Sequence, residues 1–191
     1  MKSLIIITSE INSGKTATLE KISNVLKAKN ISVGGFLSIA EFEKGKKVAY
    51  HLKNITTDEK VPLATQKKFD TNIKNCHPEF ISGSYEMPKQ VRHDITGKYY
   101  FYPEAFEKAN DWLTDTRAFN VIIIDEVGPL EMRGGGFYEL LSNLFQDFKG
   151  VLIVAVRTEI LEEFQIKFPH PETAIFATNA NIKEIVDYII L

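Results

Sequence analysis

Three apolar runs decide what this chain can become. Leu4-Ile5-Ile6-Ile7, Val121-Ile122-Ile123-Ile124 and Val151-Leu152-Ile153-Val154-Ala155-Val156 have no polar residue in alternate places. A strand built from any of them has two faces to hide. Each run is followed by apolar residues at helical spacing: Leu19, Ile22, Val25 and Leu26; then Leu140, Leu141, Leu144, Phe145 and Phe148; then Leu161 and Phe164. Continuous apolar strands alternating with amphipathic helices specify an α/β fold, a mostly parallel sheet with helices on both faces. The runs are too short to span a bilayer, and Glu10 follows the first one too soon for a signal segment.

The first strand passes into the first helix through Ser9-Glu10-Ile11-Asn12-Ser13-Gly14-Lys15-Thr16-Ala17. This is the strand-loop-helix context of a phosphate-binding loop. Backbone N–H groups of Ser9 through Ala17 would turn inward on the phosphates at a helix N-terminus. The Lys15 ammonium would reach the β- and γ-phosphates, and the Thr16 hydroxyl would bind Mg²⁺. The usual pattern opens on a glycine where this chain has Ser9. Gly14-Lys15-Thr16 alone is a weak signal, and its strand and helix neighbours strengthen it. The expected ligand is a nucleoside triphosphate with Mg²⁺.

The second run ends in Asp125-Glu126. Two carboxylates cannot stay inside an apolar strand without a partner, so the pair belongs at the C-terminal edge of the sheet, where open α/β folds bind ligands. The phosphate loop follows a strand end too, so both motifs can share that edge. Asp125 is then the metal ligand of a Walker B strand, and Glu126 orients or deprotonates the attacking water.

Between the two motifs the period changes. Residues 33–39 and 48–52 read as a long antiparallel hairpin about a turn at Glu43-Lys44-Gly45-Lys46. The lysines at its tip are read as solubility and a protected sheet edge. Segment 56–97 reads as strands joined by loops. Tyr99-Tyr100-Phe101-Tyr102 reads as a core strand running into a helix with Pro103 in its first turn. Near the end come a short strand at Thr173 to Ala177 and a helix led by Asn181, with Glu184 three residues on. No linker or repeat divides residues 1–191, so one domain is expected.

Composition removes several classes of function. With 44% hydrophobic residues in 191, the chain can bury a core without crosslinks. The single cysteine, Cys76, excludes an internal disulfide and suits a reducing cytoplasm. Cys76 and His77 are read as a loop cysteine and a solvated histidine rather than as ligands. A net charge of −2 with scattered basic residues gives no footprint for nucleic acid, and no membrane partner is expected.

Gly34-Gly35-Phe36, the return strand Lys46-Lys47-Val48-Ala49-Tyr50, Thr96-Gly97-Lys98-Tyr99, and above all Asp125-Glu126-Val127-Gly128-Pro129-Leu130-Glu131-Met132 carry a family resemblance. In this order the chain resembles the small P-loop nucleoside-triphosphatases first described in thermophiles and also found in animals. The resemblance implies a RecA-like α/β fold with added β-strands, and Mg²⁺-dependent hydrolysis of several nucleoside triphosphates, ATP and GTP among them. It implies Lys15 and Thr16 at phosphate and metal, Asp125 at the metal and Glu126 as base. The chain departs from the family at Ser9, Ile11 and Asn12 of the loop, and at Leu37 to Glu41, where such proteins often carry an arginine. Arg157 follows a strand end and Arg133 sits near the Gly134-Gly135-Gly136 turn, and both are read first as surface residues that could contact phosphate. A small-molecule or nucleotide kinase would use the same phosphate apparatus with an acceptor pocket and a lid arginine, for which segment 56–97 offers Arg92. A nucleotide-binding switch would keep binding and lose turnover. Base preference and oligomeric state are not legible.

Overall fold

The computed structural model describes residues 1–10, 13–66 and 99–190. In these residues β1 (Ser3–Ser9), β2 (Val33–Glu43), β3 (Lys46–Asn54), β4 (Lys60–Thr65), β5 (Tyr100–Phe101), β6 (Val121–Val127), β7 (Val151–Arg157) and β8 (Thr173–Ala177) form one sheet. The strand order is β5-β4-β3-β2-β6-β7-β1-β8. The strands β2, β6, β7, β1 and β8 pair in parallel, and β3, β4 and β5 extend the sheet antiparallel from β2. The helices are α1 (Lys15–Ala28), α2 (Pro103–Trp112), α3 (Pro129–Met132), α4 (Tyr138–Asp147), α5 (Leu161–Lys167) and α6 (Ile182–Ile190).

The apolar runs are continuous because successive residues serve different layers. Ile5, Ile7, Ile123 and Ile153 pack with Leu19, Ile22 and Leu26 of α1 and with Ile185, Val186 and Ile189 of α6. Leu4, Ile6, Ile122, Ile124, Leu152 and Val154 face the opposite way, against Ala105 and Ala109 of α2, Leu141 and Leu144 of α4 and Phe164 of α5. Full burial of each such aliphatic side chain is worth about 1.5–3 kcal/mol, so neither layer can be stripped without loss of the sheet.

Pairing brings the functional strand ends together. The strand β7 lies between β1 and β6, with Ser9 opposite Arg157 and Val127 opposite Val156. Gly35 on β2 sits opposite Ile123, and a Cβ there would lie 1.9 Å from the Ile123 carbonyl oxygen. Only glycine lets β2 approach β6 so closely at its φ of 106°.

Two expectations are corrected. The hairpin β2–β3 lies inside the sheet rather than at its edge, because β4 and β5 cover β3. Its lysines are also not alike: Lys44 and Lys46 are exposed, whereas Lys47 is half-buried and donates to the Tyr50 hydroxyl at 3.1 Å. The aromatic run gives a strand of only two residues, with Tyr99 buried before it and α2 starting at Pro103 as expected. Cys76, His77, Arg92 and Thr96-Gly97-Lys98 lie outside the described residues, as do Ile11 and Asn12.

Candidate active site

At the end of β1 the loop turns into α1 through Gly14, whose φ of 89° is left-handed and favours glycine. No side chain caps the helix, so its first-turn N–H groups remain available at the cleft. Lys15 is half-buried and folds back on its own loop, donating to the carbonyl oxygens of Glu10 at 2.8 Å and Ser9 at 3.1 Å. A third, longer contact runs from its Nζ to the Ser9 hydroxyl at 3.3 Å. Ser13 also donates its hydroxyl to that of Ser9. The serine that replaces the usual first glycine thus anchors both the lysine and the loop. Burial lowers the Lys15 pKa, an effect that Glu126 opposes and Arg157 reinforces.

The end of β6 is built differently. Ile124 pairs with Val154 and Val127 with Val156, so Asp125 and Glu126 together oppose Ala155 in a β-bulge. Glu126 takes a φ of 70°, an uncommon conformation for a side chain without glycine's freedom. The bulge separates the fates of two adjacent carboxylates. Asp125 is buried and accepts from the Ser38 N–H at 3.0 Å, while Glu126 stays partly open and meets Arg157 Nη2 at 3.3 Å.

Behind the bulge, Gly128-Pro129-Leu130 is pinned by a third carboxylate. The buried Glu131 accepts from the Gly128 N–H at 2.7 Å and from the Phe137 N–H at 3.1 Å. Its bond to the Gly128 N–H is the acidic half of a capping box, the half that needs no side chain at the glycine. Burial pushes the Glu131 carboxyl up to about 7, against the two N–H groups that favour its charged form.

Burial likewise pushes the Asp125 carboxyl up to about 7, opposed by a hydrogen bond from the Thr16 side chain, while the Glu126 charge raises it further. A buried carboxylate beside a hydroxyl, here donating to the Ser38 carbonyl at 3.4 Å, is an all-oxygen donor set that a hard cation would relieve. Mg²⁺ commonly takes one or two protein oxygens and completes its shell with water and phosphate, so Asp125 and Thr16 fit it. Among the described residues no cluster of three or more His, Cys, Asp or Glu could hold a metal by itself.

Gly14, Lys15, Thr16, Ala17, Asp125 and Glu126 line one cleft of about 550 Å³, along with Ser13. These candidates for phosphate, metal and base therefore meet at a single edge of the sheet, whereas Ser9 and Glu10, also expected at the phosphate, hold Lys15 through their carbonyl oxygens and do not line the cleft. Arg157, read from sequence as a surface residue, also lines this cleft, carried there by its pairing with Ser9. Arg133 is exposed and stands beyond Glu126, on the side away from the loop. Sequence reasoning missed Ser38 and Tyr50, both of which line the cleft. Their signal was faint: Ser38 is the polar residue that breaks the apolar pattern of Phe36 and Leu37.

A phosphate loop and an acidic strand end, joined across one parallel sheet, define a P-loop nucleotide-binding α/β protein. The profile of the NTPase family matches residues 4–190, and the chain belongs to that family of nucleoside-triphosphatases. It is similar to nucleoside-triphosphatase THEP1 of Saccharolobus solfataricus, 24% identical over 156 residues that cover 81% of this chain and 77% of the relative. It is 20% identical to that of Methanopyrus kandleri over 97% of this chain and 92% of the relative. Its fold matches the solution structure of a human cancer-related nucleoside triphosphatase, with a TM-score of 0.67 and 18% identity over 100% of this chain and 96% of the other. It matches the crystal structure of THEP1 from the hyperthermophile Aquifex aeolicus with a TM-score of 0.66 and 16% identity, over 97% and 98% of the two chains.

Proposed function

We propose that residues 1–191 act as one Mg²⁺-dependent nucleoside-triphosphatase domain of broad base preference, releasing nucleoside diphosphate and inorganic phosphate in the cytoplasm. The observation that carries this reading is the bulge in β6. It gives Asp125 to the buried Thr16 side of the cleft and leaves Glu126 open to solvent beside Arg157.

Bound at Asp125 and Thr16, Mg²⁺ would neutralise charge on the β- and γ-phosphate oxygens. Lys15 exchanges its bonds to Ser9 and Glu10 for phosphate oxygens, and the N–H groups at the start of α1 hold the β-phosphate. Glu126 accepts a proton from the attacking water and holds that water in line with the γ-phosphate. Arg157 keeps the Glu126 carboxylate in place and adds positive charge near the transferred group. A base-reading set of side chains would make the enzyme selective, and none is legible in the sequence around this cleft.

Phosphate release from ATP, GTP, CTP and UTP, each with Mg²⁺ and with chelator, tests the proposal. All four should be hydrolysed and all should stop on chelation. Release confined to one base would remove the broad preference, and release unaffected by chelator would remove the metal. Tight nucleotide binding without any release would favour a switch.

A further inference from the structure

Beyond Glu126 a second cavity of about 100 Å³ adjoins the phosphate cleft. The two share Ser38, Tyr50, Glu126 and Arg157, so the wall between them is made of the proposed base and its cation. The far side is largely aromatic and aliphatic, although Glu131 and the exposed Arg133 also line it. Tyr50, Tyr99, Phe101, Phe106 and Phe137 surround it, with Tyr50 and Tyr99 edge to face at 5.3 Å and Phe106 and Phe137 at 4.9 Å. Water needs no such lining, and an aromatic chamber does nothing for hydrolysis.

A second observation points to a missing partner at the same wall. Ser38 Oγ is the one buried side-chain polar atom among the described residues without a hydrogen-bond partner, and Ser38 lines both cavities. A buried hydroxyl left unpaired is costly, and a turn of the Ser38 side chain toward the cavities it lines would let a ligand oxygen relieve it.

We propose that the aromatic cavity is a phosphoryl-acceptor site for a small primary alcohol carried on a single planar ring. The cavity volume is of the order that holds one small ring, which sets the size of the acceptor. The ring packs among the aromatic side chains, and the hydroxyl lies beside Ser38 and Glu126 facing the γ-phosphate. The acceptor oxygen bonds to the γ-phosphorus while the bond from that phosphorus to the β–γ bridging oxygen breaks, its electron pair leaving on the diphosphate. The acceptor proton passes to Glu126. This inference rests on the assignment of the neighbouring cleft to the triphosphate, with Glu126 accepting from an alcohol what it otherwise accepts from water.

The probe is benzyl alcohol, with ethanol at equal concentration as the control that has a hydroxyl and no ring. The full chain is incubated with ATP and Mg²⁺, and benzyl phosphate and inorganic phosphate are separated by ³¹P NMR. Benzyl phosphate should form saturably, at roughly a tenth or more of the inorganic phosphate, because a bound hydroxyl acts at high effective concentration. Ethyl phosphate should be absent or far lower. Leu130→Trp and Phe101→Trp, which fill the cavity from different walls, should each lower the ratio of ester to phosphate about tenfold, the scale on which pocket shape discriminates. Two variants are used so that misfolding of one, seen by circular dichroism, leaves the other to decide. Phosphate without ester overturns the inference and spares the hydrolytic reading. Equal ester from ethanol, or an unchanged ratio in a folded variant, places transfer outside the cavity and also overturns it. Absence of both products sinks the two readings together.

Discussion

The two strand ends that meet in the cleft satisfy their polar groups by opposite means. At the end of β1 the loop bonds to itself, since Lys15 is held by the oxygens of Ser9 and Glu10 that a bound triphosphate would replace. At the end of β6 the bonds lie behind the reacting surface, since Glu131 holds Gly128 and Phe137 in the interior and Asp125 takes the Ser38 N–H. A ligand must rearrange the first end and finds the second already arranged. This division suits a site in which phosphate capture needs adaptable groups, while the base and metal carboxylates need fixed positions.

The largest expected effect lies at the adaptable end. Lys15→Ala should reduce phosphate release by roughly 10³-fold, because developing charge on the γ-phosphate loses its nearest cation. The same variant should melt close to wild type, since the lost bonds are those of a half-open loop rather than of the core. Turnover and thermal melting measured on one preparation test the contrast. Near-normal turnover would remove the loop from the site, and a large drop in melting temperature would show that its bonds hold the fold as well.

At the fixed end the two carboxylates should separate by role. Glu126→Gln should keep Mg²⁺-nucleotide binding and lose roughly 10²-fold in single-turnover hydrolysis, the scale of a lost general base. Asp125→Asn should instead raise the Mg²⁺ concentration needed for half-maximal rate. Titrations of nucleotide and of Mg²⁺ with both variants decide the matter. Normal hydrolysis by Glu126→Gln would leave the bulge without a catalytic purpose.

The parallel half of the fold was legible because its strands are buried on both faces and announce themselves as unbroken apolar runs. The loop and the acidic pair were legible for the same reason, each being the polar residues at the point where such a run stops. What escaped depended on register. Nothing in the sequence says that Ser9 lies opposite Arg157, so an arginine that lines the cleft looked like a surface residue. Nor does it say that Asp125 and Glu126 share one partner on β7, which alone gives them different surroundings. The hairpin was visible from its alternation and turn, but its place inside the sheet was not, because β4, which pairs with β3, comes from weakly patterned sequence.

Glu131 offers the finest test of the contrast, because it has no assigned role toward the triphosphate or the metal and acts on that cleft by holding the fixed end. Both of its oxygens accept from buried N–H groups, so the amide of Glu131→Gln can satisfy one and must point a donor at the other. Leaving one buried N–H unpaired costs about 1–3 kcal/mol. The cost should also depend on pH. Burial raises the folded Glu131 pKa to about 7, above the ordinary glutamate value near 4.5. Between these two values the folded state binds more protons than the unfolded one, so the Glu131 contribution to stability is complete below about pH 4.5 and is lost as pH rises through about 7. Glutamine does not titrate. The stability advantage of wild type over Glu131→Gln should therefore be largest near pH 5 and shrink by about 1–3 kcal/mol towards pH 8. Taking the difference between the two proteins cancels the titration of Asp125, which is common to both. Urea unfolding at pH 5, 6, 7 and 8 measures that difference. A gap that stays constant across the series would mean that the two N–H groups keep Glu131 ionised throughout, and the fixed end would then hold a buried charge rather than a buried acid.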